Sequence, residues 1–154
     1  MQSHSSASYA RFFAMIGTST LVMLALMYST VYSADHLWWS ATKGYMALYM
    51  GAAMAAVMLA FMLGMYRDRA KNLAIAVGSV LLFALAFAGL RTQTAVGDVA
   101  WMKAMIPHHS LAILTSERAS ISDPRVQALA DEIIEAQRRE IAEMEALIAD
   151  LEAR

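Results

Sequence analysis

The sequence predicts an all-α protein with three transmembrane helices followed by an antiparallel helical hairpin. Of its 154 residues, 59% are hydrophobic, and the mean hydropathy of +0.46 is too high for an ordinary soluble domain. The apolar residues are concentrated in the first 90 positions, where they form three runs without charge. The later residues are rich in charges and keep the three-to-four-residue apolar spacing of amphipathic helices.

The three uncharged runs predict transmembrane helices at about 12–32, 45–65 and 73–90. A helix of about 20 apolar residues crosses a hydrocarbon core of about 30 Å. The first run is too long for a signal peptide and lacks the small-residue cleavage site, so we expect it to be retained. Residues 1–91 therefore form a predicted membrane domain surrounded by lipid.

The charged loops predict how the chain crosses the membrane. The loop at 66–72 carries three basic residues, and the loop at 33–44 carries one. Because basic loops stay in the cytoplasm, the 66–72 loop and the N-terminus are expected there, with everything after Leu90 outside. Arg91 favours the opposite orientation, but the 66–72 loop carries three basic residues and should outweigh it.

Residues 92–154 predict an extracytoplasmic domain made of two helices. Seven basic and eleven acidic residues follow from Arg91 onward, so this region is net negative and faces water. The first helix runs from about Asp98 to Ala119. The second is predicted from Pro124 to about Glu152, because Asp123 suits the N-cap and proline suits the first helical position.

The short link between these two helices makes them an antiparallel hairpin. Two helices of this size bury too little apolar surface to be stable alone. The hairpin must therefore pack on the membrane domain, on another copy or on a partner. Self-association into a four-helix, ferritin-like bundle is the simplest solution, and it predicts a homo-oligomer.

The first hairpin helix carries an unusual group of side chains on one face. At about 100° per residue, Met102, Met105 and His109 fall at about 0°, 300° and 340°. Two thioethers and an imidazole suit soft metal ions, Cu(I) above all. The chain has no cysteine, so a soft-metal site must use Met and His.

The second hairpin helix repeats this spacing with Gln137, Glu140 and Met144. If the two faces meet, thioethers, imidazole and a side-chain oxygen would surround one ion. His108 lies about 60° from Met105, so it could join the site or point towards a neighbouring subunit. The structural alternative is that the methionines fill a core, the Glu and Gln are solvated, and the histidines are simply hydrogen-bonded. A di-iron site is disfavoured because no Glu-x-x-His pair occurs.

Methionines also recur every four residues in the second apolar run. They are Met46, Met50, Met54, Met58 and Met62. We favour helix packing among small residues, since no ionisable residue lies within the spans. The alternative is a thioether ladder that passes or stores copper. His36, beside two tryptophans, is interpreted as an interfacial residue, with a peripheral metal contact as the alternative.

Two separated motifs follow one another in about the last 55 residues. They comprise Asp98, Trp101-Met102, Met105-Ile106-Pro107-His108-His109 and Ala112-Ile113, then Ala130, Glu132-Ile133-Ile134, Gln137, Glu140-Ile141 and Met144. In these residues the chain resembles the bacterial family known as domain of unknown function 305, a ferritin-like helical-bundle group. Members are often exported, and several are associated with copper binding or tolerance. The membrane spans lie outside the resemblance.

The resemblance implies a metal-binding set of Met102, Met105, His108, His109 and Met144, with Gln137 and Glu140 beside them. The family often has a further Met shortly after Ala112-Ile113, where this chain has Thr115. The implied site is therefore poorer in sulfur, or another subunit completes it.

Together these features predict a non-enzymatic protein of a bacterial inner membrane with a periplasmic hairpin that binds copper, as Cu(I). Its expected role is copper sequestration, tolerance or handover to a copper-handling partner. The alternatives are a structural module whose hairpin drives oligomerisation without metal, and a small copper transporter that uses the methionine ladder. No nucleophile–base arrangement or phosphate loop predicts an enzyme, and no basic patch predicts nucleic-acid binding.

Overall fold

A computed structural model describes the backbone of residues 2–154 and the side chains of residues 8–154. Within these residues the chain is helical and contains no strand, which confirms the all-α prediction. The elements are α1 (Gln2–Tyr28), a 3-10 turn (Ala34–His36), α2 (Ala41–Met62), α3 (Arg69–Thr92), α4 (Asp98–Arg118) and α5 (Pro124–Glu152).

Three of these helices are long and apolar enough to cross a membrane: Ser8–Tyr28 within α1, then α2 and α3. Their number agrees with the prediction, but their ends differ by several residues. The uncharged run predicts that the third helix begins at about residue 73, whereas in the structure it begins at Arg69. The reason is local capping, because the Asp68 carboxylate accepts the backbone N–H groups of Ala70 and Lys71, each at 3.1 Å.

Both helices of the hairpin lie close to their predicted bounds. α5 begins at Pro124, and the Asp123 carboxylate caps it by accepting the backbone N–H of Arg125 at 2.8 Å. α4 starts at Asp98 and continues through the buried Pro107. Proline removes one backbone hydrogen bond without ending the helix here.

The chain divides into two compact units. The first unit comprises Met1–Leu26 and Thr42–Thr94. The second comprises Met27–Ala41 and Ala95–Arg154. We call residues 27–41, which connect α1 to α2, the loop segment. This segment belongs with the hairpin and not with the spanning helices.

The first unit has an aromatic core at one end of its helices. The rings of Tyr9 and Phe12 lie 4.9 Å and 5.5 Å from the ring of Tyr66, measured between centroids. The Tyr9 hydroxyl donates a hydrogen bond to Asn72 Oδ1 at 2.7 Å, so α1 and the start of α3 are joined there. Farther along, a Cβ added at Gly51 would lie 2.5 Å from Thr20 Oγ1, which shows how closely α1 and α2 pack.

The hairpin core is made by one stripe from each of its helices. Its buried members are Met102, Ile106, Ile113, Ile141, Met144 and Ile148. Trp38 of the loop segment packs against this core. The Lys103 ammonium lies 5.2 Å from the centroid of the Trp38 ring, within range of a cation–π interaction. The loop segment thus supplies apolar cover that two helices alone lack.

Candidate metal site between the hairpin helices

A groove with a volume of about 430 Å³ lies between α4 and α5. Five of the seven predicted site residues line it. The full lining is Trp101, Met102, Met105 and His109 from α4, with Glu140, Glu143, Met144 and Leu147 from α5. The predicted site residues that line the groove are three or four residues apart on each helix, so they share one face. The structure therefore brings the two predicted faces together.

His109 is held by contacts at both ring nitrogens. Its Nδ1 lies 2.9 Å from the carbonyl oxygen of Met105. Because a carbonyl accepts only, Nδ1 carries the hydrogen and donates it. The other nitrogen, Nε2, lies 2.8 Å from Oε2 of Glu140. A backbone contact of this kind is how metal-binding histidines are commonly oriented, and here it turns Nε2 towards α5.

Glu140 and Gln137 form the oxygen-bearing side of the site. The Gln137 amide Nε2 donates to Glu140 Oε2 at 3.4 Å, so this amide helps to orient the carboxylate that faces His109. Gln137 itself does not line the groove. The Glu140 side chain is 44% exposed, compared with 13% for His109, so the carboxylate lies towards the rim.

Two of the three thioethers, those of Met102 and Met144, lie deeper. Met102 is 4% exposed and Met144 is 7% exposed, and both are members of the hairpin core. Met105 is half-buried and packs against the same core. These methionines therefore fill space between α4 and α5 while they also line the groove.

Two other residues of the predicted pattern point elsewhere. His108 is exposed and does not line the groove; its ring centroid is 6.0 Å from that of His109. Thr115, which stands where the resembling family often has Met, is exposed, and its hydroxyl donates to the backbone carbonyl of Leu111 at 3.0 Å. Neither side chain contributes a donor to the groove.

The donors in the groove suit a soft ion. Among the residues that the structure describes, no group of three or more His, Cys, Asp or Glu side chains could hold a metal. The groove offers three thioethers with one imidazole and one carboxylate, and thioether donors select Cu(I) over harder ions. The residues present therefore fit copper in its reduced state.

The methionine ladder of α2 has a different setting. All five members are half-buried in the first unit. Met58 and Met62 pack against the aromatic core that contains Phe12 and Tyr66. These contacts favour helix packing over a row of metal ligands.

Sequence reasoning missed a polar contact next to the histidine pair. Ser110 is fully buried, and its Oγ accepts the backbone N–H of Tyr32 at 2.6 Å. The same Oγ lies 2.8 Å from Nδ1 of His36, within hydrogen-bond distance. A polar residue on the apolar stripe between Ile106 and Ile113 was the available signal. His36 therefore anchors the loop segment on α4.

The fold and the groove define the class of protein: an all-helical chain with three helices able to span a membrane and a hairpin that bears a Met/His groove.

Residues 84–153 match the family described as "Domain of unknown function (DUF305)". This match confirms the resemblance seen from residue 98 onward and extends it into α3. A protein of Acanthamoeba polyphaga mimivirus, "Uncharacterized protein L153", is 41% identical over 61 residues, which cover 38% of this chain and 40% of the relative. The match thus spans two fifths of that relative's length. No solved structure gives a significant match to this chain.

Proposed function

We propose that this protein is a membrane-anchored, non-enzymatic copper-binding protein whose hairpin holds Cu(I). The observation that carries the proposal is the groove between α4 and α5, where Met102, Met105 and Met144 lie with His109. Thioethers and imidazole are donors that favour soft ions. In this protein the bound ion is cargo, and the residues hold it without changing it chemically.

The arrangement of the ligands supports tight binding. The Met105 carbonyl fixes the orientation of the His109 imidazole, so Nε2 already points towards the groove before an ion binds. Met102 and Met144 are held in the core, so little side-chain entropy is lost when their sulfurs take a ligand position. Shielding from water also protects Cu(I), since Met102 and Met144 are nearly inaccessible to solvent.

We place the hairpin in the periplasm of a bacterium and the N-terminus in its cytoplasm, with α1, α2 and α3 in the lipid of the inner membrane. The basic loop around Arg67, Arg69 and Lys71 supports this orientation. A copper site there serves sequestration, tolerance or handover to a copper-handling partner. Thr115 supplies no sulfur, so we expect a homo-oligomer in which a second copy completes the coordination.

Competition with a Cu(I) chelator tests the proposal on the full chain in detergent. We expect the Met105→Ala/His109→Ala double variant to lose at least about tenfold in Cu(I) affinity per ligand removed. His108→Ala is the matched control, because His108 lies outside the groove. It should bind as the wild type does. Equal affinity in the wild type and the double variant would contradict the proposal.

A structural module is the second candidate, and the burial of Met102 and Met144 in the hairpin core favours it. In that case the methionines only stabilise the hairpin, and the hairpins assemble the protein. Metal analysis of the purified wild type would then give background copper. Light scattering would give the same oligomer size with and without chelator.

A further inference from the structure

We propose that Glu140 gives the groove a second, oxygen-containing ligand set, so that the same groove also accepts Cu(II). Glu140 is then the residue that sets the preference between the two oxidation states. This inference rests on the proposed copper-binding function. It is carried by the contact between Glu140 and His109.

That contact calls for a cation. Since Nδ1 of His109 donates to the Met105 carbonyl, the neutral ring presents a lone pair at Nε2. Glu140 Oε2 lies 2.8 Å from that nitrogen. A lone pair and a carboxylate oxygen repel each other unless a positive charge lies between them. A proton satisfies this requirement, and so does a metal ion bound to both atoms.

The distance between the two atoms is that of a hydrogen-bonded ion pair, and it also allows both atoms to bind one Cu(II) ion. Two ligands at about 2.0 Å from an ion and at a right angle to each other are about 2.8 Å apart. Square-planar or tetragonal coordination by nitrogen and oxygen is typical of Cu(II). His109 and Glu140 can therefore take neighbouring positions on such an ion without moving apart.

The two ligand sets occupy different depths of the groove. The thioethers of Met102 and Met144 are almost fully buried, whereas Glu140 lies at the more exposed rim. His109 lies between them and belongs to both sets. Cu(I) gains little from a carboxylate, while Cu(II) gains a charged oxygen ligand that the sulfur side cannot supply.

Glu143 offers a matched comparison. It lines the same groove and carries the same charge. Among the described residues, no hydrogen bond or ion pair joins Glu143 to His109. Replacement of Glu143 therefore reports the effect of removing a groove carboxylate that does not contact His109. An effect of ligation should be confined to Glu140.

The experiment measures Cu(I) and Cu(II) affinities of the full chain in detergent, by competition with a chelator for each ion. For Glu140→Gln we expect Cu(II) affinity to fall at least about tenfold. Cu(I) affinity should stay within about threefold. Glu143→Gln should change neither affinity by more than about threefold. Electron paramagnetic resonance of the Cu(II) form should change in Glu140→Gln and not in Glu143→Gln.

A second variant, Glu140→Asp, keeps the charge but withdraws the carboxylate from His109. It should also lose Cu(II) affinity, and circular dichroism should show unchanged helicity in every variant. Equal loss of both affinities in Glu140→Gln, or no loss of either, would overturn the inference. Wild-type protein that binds Cu(I) but not Cu(II) would overturn it too and leave the proposed function standing. Wild-type protein that binds neither ion would reject both.

Discussion

His109 and Asp123 show how single residues use nearby backbone groups to act over longer distances. His109 donates to the carbonyl of Met105, one turn earlier, and thereby faces Glu140 on the other helix. Asp123 accepts the N–H of Arg125 and begins a helix of 29 residues. A local contact thus sets the orientation of the His109 ring, and another sets the residue at which α5 begins.

The cap at Asp123 predicts a dependence of hairpin stability on pH. The side chain and backbone N–H groups of Arg125 hold the pKa of Asp123 below its ordinary value of 3.8. A carboxylate whose pKa is lowered by folding stabilises the fold at all pH values above its unfolded pKa. That contribution is lost as the pH falls through the lowered, folded pKa.

We therefore expect Asp123→Ala to lower the thermal midpoint of the hairpin by a few degrees at neutral pH. The difference from wild type should vanish at a pH below the lowered pKa of Asp123. Far-UV circular dichroism during heating measures the midpoint. Asp123→Asn keeps the cap acceptor without the charge, so it should lose less. Identical midpoints of wild type and Asp123→Ala at neutral pH would contradict the capping role.

At the level of elements, the sequence predicted α4, α5 and the faces that meet between them. Apolar periodicity and the Asp-Pro start are local signals, and the structure places both helices within about one residue of these bounds. The bounds of the spanning helices were less accurate. Charge-free runs mark only the apolar part of each helix, whereas the cap at Asp68 extends α3 into charged residues.

The loop segment is an element whose role the sequence did not predict. We expected the hairpin to need cover from the membrane domain, another copy or a partner. Trp38 packs on the hairpin core, and Ser110 binds both Tyr32 and His36. These contacts join residues more than 60 positions apart, which no local pattern reveals.

Replacement of Ser110 tests this anchor. Ser110→Ala leaves the N–H of Tyr32 and the ring of His36 without their buried partner, which should cost about 1–3 kcal/mol of stability in the hairpin unit. Hydrogen exchange should show faster exchange at the Tyr32 amide. Ser116→Ala, on the same helix, is the control and should leave that rate unchanged. An unchanged Tyr32 rate in Ser110→Ala would rule out the anchor.

At the scale of the whole molecule, contacts within the second unit bear on how the chain crosses a membrane. The loop segment lies between α1 and α2, and the hairpin follows α3. Because these parts touch, the proposed topology has to place them on one side of the membrane. Two crossings, by α2 and α3, separate the loop segment from the hairpin along the chain and return it to the same side.

The absence of native cysteine makes the orientation testable by labelling. We expect a single cysteine introduced as Ser116→Cys to react with a membrane-impermeant maleimide in intact cells. A cysteine introduced as Arg67→Cys should react only after the membrane is opened, since the basic loop is expected in the cytoplasm. The unmodified, cysteine-free chain is the control. The reverse pattern of labelling would place the hairpin in the cytoplasm.

The sequence by itself determined the helices, their approximate number and the residues that share each face. These properties depend on hydropathy, capping and the helical repeat, all of which act within a few residues. Only the tertiary structure decided that Glu140 faces Nε2 of His109, that His108 lies outside the groove, and that the loop segment belongs with the hairpin. Those outcomes depend on how distant segments pack, because a side chain's partners across a helix pair are set by the position of both helices.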